Sequence, residues 1–490
     1  MTSSFLFVFG HLAAQAQPCD TMNRLFDAPR FPERDVVSIR SEEKRIRDVY
    51  SGSIDGLVSD NFVLKWGSDS GGSPLGDIVL NAFEMLWDVQ ILEWEHPFPF
   101  GTDTYLFNIY LGNTGPEVPS IPDNVAAYYT RDIEGWPMIV IHPSTLGGAP
   151  SEVFALLSHE FYHAVQDAEE AFVTPISRWL WEPTANWASM QFVPDSPFHF
   201  IGIDSYLTLS EKSLRFFQGV EDLSAEEFYT YGEVLFPIHL HERIGEPLLI
   251  PEIWKRGLPD SDAISVLGEL LEEYDLSFIE VWMDHNEGAI SLNYEQGELY
   301  REVVTPDWYT ETYAQTGVAI HEADEEQALE NYGFHAHRLY APSLPILDVQ
   351  VWANPIGTMS SIGQFAARVV HKTPDETFSY TLSLDSYFDE IRLEVSSEDE
   401  IYLVVGAWTP EPRSLFDEEE TFTYSFAMEG KDYPPNYIPV EEDTGLDLDV
   451  DVWGLVCGCG HVDPLSASAG LWALMLYWNR RRYWSVRDAE

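Results

Sequence analysis

The 490-residue chain has little cysteine, and this scarcity excludes several kinds of fold and catalyst. Its 3 cysteines are Cys19, Cys457 and Cys459, so none lies in the long stretch between them. No disulfide framework can therefore hold the central part of the chain together, and no thiolate zinc site can form there. A cysteine nucleophile is disfavoured for the same reason.

Basic residues are also scarce, since 26 Lys and Arg stand against 82 Asp and Glu, for a net charge of −56. This charge argues against nucleic acid and anionic membrane surfaces as partners. The acidic residues are spread along the chain, so a salt-adapted or strongly hydrated surface explains them more simply than a ligand does. A preference for basic peptides is the alternative. Apolar residues make up 45% of the chain, which excludes wholesale disorder.

A short segment with a specific chemical pattern runs from His159 to His163 and reads H-E-F-Y-H. On a helix, residues four apart share a face, so both imidazoles can point at one metal ion. Glu160 lies about 100° further round such a helix. There it can hold a water beside the ion without being a ligand, which is the layout of a zinc hydrolase.

The surrounding sequence predicts that this segment lies in a buried helix. Ser151 is a good N-cap, and Glu152 suits the first turn. Apolar residues recur at helical spacing from Val153 to Val165. No Gly or Pro interrupts residues 151–174.

A third metal ligand is expected at Glu182, nineteen positions after His163. Catalytic zinc takes three protein ligands and keeps one position open. The interval lets one helix end and a second return beside it, with Pro183 in its first turn. Asn186, one turn later, can support a ligand histidine. The alternative is a solvated carboxylate, but neighbouring tryptophans indicate burial, and a buried carboxylate requires a cation.

Two segments carry a resemblance to known enzymes. Residues 159–166 read H-E-F-Y-H-A-V-Q, and residues 179–187 read W-L-W-E-P-T-A-N-W. The order H-E-x-x-H, a gap and a helix-borne Glu resembles the gluzincins, which include thermolysin-like proteases and zinc aminopeptidases. A closer similarity is to a family of secreted metalloproteases of myxobacteria, from about Asp60 to Met428, with Pro183 where that family usually has Gly.

The resemblance implies a catalytic zinc held by His159, His163 and Glu182, with Glu160 as the general base. It implies an α+β fold, in which a gluzincin-like catalytic domain has a small sheet over the active-site helix and then a mainly helical subdomain. Zinc would lower the pKa of water to about 7 and polarise a peptide carbonyl.

A further electrophile for the tetrahedral oxyanion is expected downstream of these residues. Tyr231 is the first candidate, because Tyr231-Gly232 precedes an apolar run where a helix would enter the core. His239 and His241 are weaker candidates. A purely structural role is the alternative for each of the three.

The two ends of the chain suggest export. Residues 1–16 resemble a signal peptide, with an apolar run and a small-x-small cleavage pattern at Ala14-Gln15-Ala16. A mature N-terminal segment is the alternative.

Residues 453–490 place cysteines before a short apolar run and arginines after it, which resembles the MYXO-CTERM sorting tails of exported myxobacterial proteins. The alternative is a simple membrane anchor or an amphipathic helix, although this apolar run is shorter than the roughly 20 residues of a relaxed membrane span.

The sequence divides into segments of different character between these ends. Residues 17–330 are expected to form the metalloprotease domain, and short alternating runs over residues 331–430 predict a β-sandwich. Residues 431–452 form an acidic, proline-containing linker. Its alternating Asp447, Asp449 and Asp451 can bind calcium, but a solvated spacer is the simpler interpretation.

These observations leave three hypotheses about function. The first is a secreted or surface-retained zinc peptidase that acts on peptides or proteins. The second is a surface binding or adhesion protein with a non-catalytic zinc. The third is a zinc hydrolase that acts on other substrates. Glu160 favours a hydrolase, because zinc binding alone does not require it.

Overall fold

The computed structural model describes residues 46–47, 55–70, 75–200, 202–218, 224–246, 248–304, 309–313, 319–322, 328–340, 344–358, 361–409 and 420–431. These residues form helices and several sheets, in agreement with the predicted α+β class. The expected signal peptide, the C-terminal tail and nearly all of the acidic linker lie outside the described residues. Within the described part of the chain, every helix is too short or too polar to cross a bilayer.

The first part of the fold is a five-stranded sheet with the strand order β1-β2-β3-β5-β4. Strands β2, β3 and β5 are parallel, whereas the outer strands β1 and β4 are antiparallel to their neighbours. The strands are β1 (Asp55–Val58), β2 (Phe62–Trp66), β3 (Phe107–Leu111), β4 (Ala127–Arg131) and β5 (Pro137–Ile141).

Two long helices pack on this sheet. Helix α1 (Gly76–Leu86) continues as a π-helical segment over Trp87–Glu93. Helix α2 (Pro150–Glu169) carries the H-E-x-x-H segment. Phe161 of α2 is fully buried and meets Phe62 and Phe107 of the sheet edge-on. Because Phe161 is two residues from each histidine, it anchors the opposite face of the helix and leaves the histidine face directed away from the sheet.

The expected helix cap at Ser151 was wrong by two residues. Helix α2 begins at Pro150, and its N-cap is Ala149, which makes no side-chain cap. Proline suits the first helical position because it has no N–H to leave unbonded. The helix ends at Glu169, although no Gly or Pro follows before residue 174, because Glu170 adopts a left-handed conformation with φ of 55°.

A mainly helical region follows, as expected. Helix α3 returns beside α2, and its first turn contains Glu182 and Pro183, which confirms the predicted second helix. The helices after α2 are α3 (Trp181–Met190), α4 (Ile203–Thr208), α5 (Ala225–Gly232), α6 (Leu235–Ile244), α7 (Leu249–Arg256), α8 (Ala263–Glu272), α9 (Phe278–Ser291) and α10 (Gly297–Val303).

The last part of the described chain forms two larger sheets with a shared apolar core. Their strand orders are β13-β10-β16-β7 and β12-β11-β14-β9-β6, and a small β15-β8 pair lies beside them. The sheets begin before residue 331, the boundary expected from the sequence, because β6 and β7 pair into them. The strands are β6 (Thr310–Tyr313), β7 (Ala319–Glu322), β8 (Leu329–Glu330), β9 (Gly333–Tyr340), β10 (Ile346–Ala353), β11 (Gln364–Lys372), β12 (Thr377–Leu382), β13 (Phe388–Glu394), β14 (Glu400–Trp408), β15 (Thr421–Phe422) and β16 (Tyr424–Lys431).

Candidate metal centre

Three ligand-type side chains from α2 and α3 converge in the interior. His159 Nε2 lies 3.1 Å from His163 Nε2 and 3.1 Å from Glu182 Oε2. His163 Nε2 lies 3.5 Å from the same carboxylate oxygen. All three side chains are buried, and among the described residues they form the only group of three His, Cys, Asp or Glu side chains with ligand atoms close enough to hold one ion.

The outward-facing nitrogens of both histidines are held by amide side chains. His159 Nδ1 is 2.9 Å from Asn186 Oδ1, and His163 Nδ1 is 2.6 Å from Gln166 Oε1. An amide oxygen only accepts hydrogen bonds, so each Nδ1 must carry the proton. Each Nε2 therefore presents a lone pair to the centre. The expected contact of Asn186 with a ligand histidine is present.

The amide orientations follow from their other contacts. Asn186 Nδ2 donates to the backbone oxygen of Tyr231 at 3.3 Å. Gln166 Nε2 donates to the backbone oxygen of Trp181 at 2.8 Å and to Thr184 Oγ1 at 2.9 Å. These contacts direct both amide oxygens at the imidazoles.

The centre therefore contains two nitrogen lone pairs and a carboxylate oxygen that face one another. Three acceptors packed this closely repel one another unless a proton or a metal ion lies between them. Zinc bonds of about 2.0–2.2 Å arranged as a tetrahedron separate neighbouring ligand atoms by about 3.3–3.6 Å. The observed separations agree with this range to within a few tenths of an ångström, and the two-nitrogen, one-oxygen donor set suits zinc.

The electrostatics of the site also indicate a demand for positive charge. Burial alone would raise the pKa of Glu182, but the neighbouring His163 and His159 lower it to about 2. Burial alone would lower the pKa of His163, but Glu182 and then Glu160 outweigh it, and the pKa is raised. The carboxylates thus favour a cation at this position over a neutral imidazole pair.

Glu160 lies in the same interior, fully buried on α2 between the two histidines in sequence. Its carboxylate is one of the groups that raise the pKa of His163, after Glu182. Its position one residue after His159 turns it away from the ligand stripe of the helix.

Tyr231 also comes close to the site. Its ring stacks on that of His159, with centroids 6.5 Å apart and planes inclined by 26°. Helix α5 carries it, and a capping box between Ser224 and Glu227 fixes the start of that helix. Phe198 meets the ring of His159 edge-on, with the ring centroids 5.4 Å apart.

The weaker histidine candidates have other neighbours. His239 packs against His285 of α9, with ring centroids 5.6 Å apart, and burial lowers its pKa to about 4. His241 accepts a hydrogen bond from Trp187 Nε1 at 3.1 Å. These contacts place both histidines against neighbouring helices.

The sequence did not reveal the role of Gln166. It follows His163 by three residues, and three-residue spacing on a helix was the available signal. It was missed because its amide depends on two partners in another helix, Trp181 and Thr184, which the local sequence cannot supply.

Comparison with known proteins gives a family and little more. No curated protein matches the chain. Among solved structures, tripeptidyl peptidase 2 matches at 11% identity with a TM-score of 0.20, over 26% of this chain and 11% of that one. A family GH115 4-O-methyl-alpha-glucuronidase with specificity for decorated arabinogalactans matches at 12% identity with a TM-score of 0.15, over 58% of this chain and 40% of that one.

The chain thus spans well under two thirds of either structure, and similarities this weak carry no argument about fold or activity. A family model, by contrast, covers residues 56–429, which include the whole candidate metal centre. The chain belongs to the family described as "Family of unknown function (DUF6055)".

Proposed function

We propose that this protein is a zinc-dependent peptidase of the gluzincin type. The observation that carries the proposal is the meeting of His159 Nε2, His163 Nε2 and Glu182 Oε2, with both Nδ1 protons committed to amide oxygens. A buried set of three acceptors with this spacing is stabilised by a divalent cation. The neighbouring Glu160 supplies a general base, which a purely structural ion would not need.

The chain's own residues supply the proton transfers. Zinc, when bound, makes a water acidic enough to attack at neutral pH and polarises the substrate carbonyl. Glu160 takes the proton of the attacking water and then gives it to the leaving amine. Its burial excludes bulk water, so the proton passes between carboxylate and substrate without exchange.

Tyr231 is proposed to assist this reaction. Its ring is held against His159, and Asn186 joins its backbone oxygen to the same histidine. A phenol is a hydrogen-bond donor that can stabilise the negative charge developing on the substrate oxygen.

The proposed substrate is a peptide that binds in extended form. Strand β4 is an outer strand of the first sheet, antiparallel to β5, and it packs against α2. An added peptide strand can pair with such an edge through its backbone. A small sheet over the H-E-x-x-H helix, followed by helices that contribute the third ligand, supports a thermolysin-like catalytic domain. The predicted export of the protein would make extracellular protein the substrate.

The experiment compares the full-length protein with its Glu160→Gln and Glu152→Gln variants. Glu152 lies in the first turn of the same helix and serves as the matched control. Zinc content and cleavage of casein are measured for each protein. We expect one zinc in all three, and a loss of activity of about 10²- to 10⁴-fold in Glu160→Gln alone.

Each outcome separates the hypotheses. Zinc without cleavage of casein or other peptides by the wild type would leave a structural site or a hydrolase of other substrates. Cleavage that is equal in wild type and Glu160→Gln would exclude the proposed proton transfers. Absence of zinc binding would contradict the proposal altogether.

A further inference from the structure

Gln166 lies at the centre of a saturated hydrogen-bond network between the two ligand-bearing helices. It is fully buried on α2, and its amide oxygen faces His163 Nδ1 at 2.6 Å. Both amide protons go to α3, to the oxygen of Trp181 and to Thr184 Oγ1. The ring of Trp181 also lies parallel to that of His163, 6.4 Å away.

Thr184 leaves no freedom for this amide to turn over. Its hydroxyl donates to the oxygen of Leu180 at 2.7 Å, and its oxygen accepts from Gln166 and, at 3.1 Å, from Trp254 Nε1. If the amide of Gln166 were reversed, its oxygen would face two other acceptors, and its NH2 group would face the protonated Nδ1 of His163. Three favourable contacts would be lost together, each worth about 1 kcal/mol or more.

We propose that Gln166 is a positioning residue that fixes the proton of His163 on Nδ1. Because the amide of Gln166 is anchored to α3, the position of this proton depends on where α3 lies. This inference rests on the proposed function, because it concerns the same metal centre. Helix α3 supplies the ligand Glu182, and through Gln166 its first turns also hold His163 with Nε2 ready for the ion. Helix α3 thus supplies one ligand, Glu182, and through Gln166 also orients a second, His163.

The second histidine has a looser support. Asn186, also on α3, contacts His159, and its only other hydrogen bond among the described residues is the 3.3 Å contact with Tyr231. Gln166 makes two anchoring bonds, both shorter than this one. His163 is therefore the more rigidly oriented ligand, and the loss of Gln166 should affect zinc affinity directly.

The test measures zinc affinity by competition with a chromogenic chelator, without reference to catalysis. The variants of the full-length protein are Gln166→Met, which removes the polar group at similar volume, and Gln166→Glu, which keeps an acceptor for Nδ1. The matched control is Gln90→Met. Gln90 is equally buried and donates to the oxygen and hydroxyl of Ser158 on the same helix, and among the described residues no hydrogen bond joins it to either ligand histidine. Thermal unfolding of each metal-free protein reports on the fold.

We expect Gln166→Met to bind zinc about 10- to 100-fold more weakly than wild type. Gln166→Glu should recover much of that affinity. Its metal-free form should be less stable than the metal-free wild type, because a carboxylate has no proton to donate to Trp181 or Thr184. Gln90→Met should lose stability and keep its zinc affinity.

Equal zinc affinity in Gln166→Met and wild type would overturn the inference and leave the peptidase proposal standing. The same would follow if Gln90→Met lost as much zinc affinity as Gln166→Met. A wild type that binds no zinc would refute the proposed function instead.

Discussion

At the scale of single residues, the site depends on where protons are kept. The two ligand histidines present lone pairs only because Asn186 and Gln166 accept their other protons. Glu182 stays ionised in the interior because its contacts with His163 and His159 outweigh the effect of burial on its pKa. The presence of two histidines alone would not ensure a lone pair on each Nε2, since a buried imidazole can carry its proton on either nitrogen.

A second buried carboxyl group, Glu233, has no such compensation. Neither of its side-chain oxygens has a hydrogen-bond partner among the described residues, and burial raises its pKa well above the usual value of 4.5. A group whose pKa is raised on folding contributes stability below its unfolded pKa and loses it as pH rises toward the folded pKa. For each unit by which folding raises the pKa, the free energy of unfolding is lower by about 1.4 kcal/mol at pH values above the folded pKa.

Replacement of Glu233 by Gln should therefore make the protein more stable at about pH 8 but not near pH 4.5. Urea unfolding at the two pH values measures the difference. Glu226→Gln is the control, because this carboxylate lies on helix α5, which ends just before Glu233, and its side chain is 47% exposed. An equal gain at both pH values would show that ionisation of Glu233 is not the cause.

At the scale of helices and strands, the sequence predicted the site's supports well. The second helix was predictable from Pro183 and the nineteen-residue spacing to Glu182. The bounds of strands β4 and β9 are harder to predict, because Arg131 in one and His335 and His337 in the other interrupt an apolar pattern. Those polar residues are accommodated by tertiary contacts, such as Arg131 with Asp167 and the two histidines with Tyr424. The sequence does not encode such distant partners locally.

The close approach of α4 and α5 gives an element-scale prediction. A Cβ atom on Gly232 would lie 2.0 Å from the oxygen of Gly202 and 2.7 Å from Tyr206 Cβ. Gly202 itself has φ of +90°. Gly232→Ala must push the helices apart next to Tyr231, and we expect it to destabilise the protein by about 1–3 kcal/mol in urea unfolding.

Gly268 on α8 is the comparison for this substitution. Nothing lies within 4 Å of a Cβ atom at this position. Gly268→Ala should stabilise the protein by up to about 1 kcal/mol, through the higher helix propensity of alanine. If both variants change stability in the same direction, the packing explanation is wrong.

At the scale of the whole molecule, one hydrophobic cluster joins the helical region to one face of the second large sheet. Val404 and Phe334 of the second large sheet belong to the same buried cluster as Trp282 of α9. Arg368 reinforces the contact through Asp284 at 2.5 Å and Glu287 at 3.2 Å. The sandwich predicted from the sequence as a separate domain is therefore continuous in packing with the helices.

This continuity predicts a single unfolding transition. Calorimetry of the full-length protein should show one peak, and Gly406→Ala should move the whole peak to lower temperature. The reason is that a Cβ atom at Gly406 would lie 2.3 Å from Trp282 Cη2, so the sheet and helix would have to separate. Two resolved peaks, with only one of them shifted, would instead indicate two independently folding units.

The proposed function depends on one zinc ion held by His159, His163 and Glu182. Zinc-edge X-ray absorption of the full-length protein with one equivalent of zinc identifies the ligands of that ion. We expect nitrogen and oxygen scatterers at about 2.0–2.2 Å, with the imidazole signature of two histidines and no sulfur. In Glu182→Gln the zinc affinity should fall while the histidine signature of any bound ion remains. A spectrum with sulfur ligands, or with oxygen ligands alone, would contradict the account.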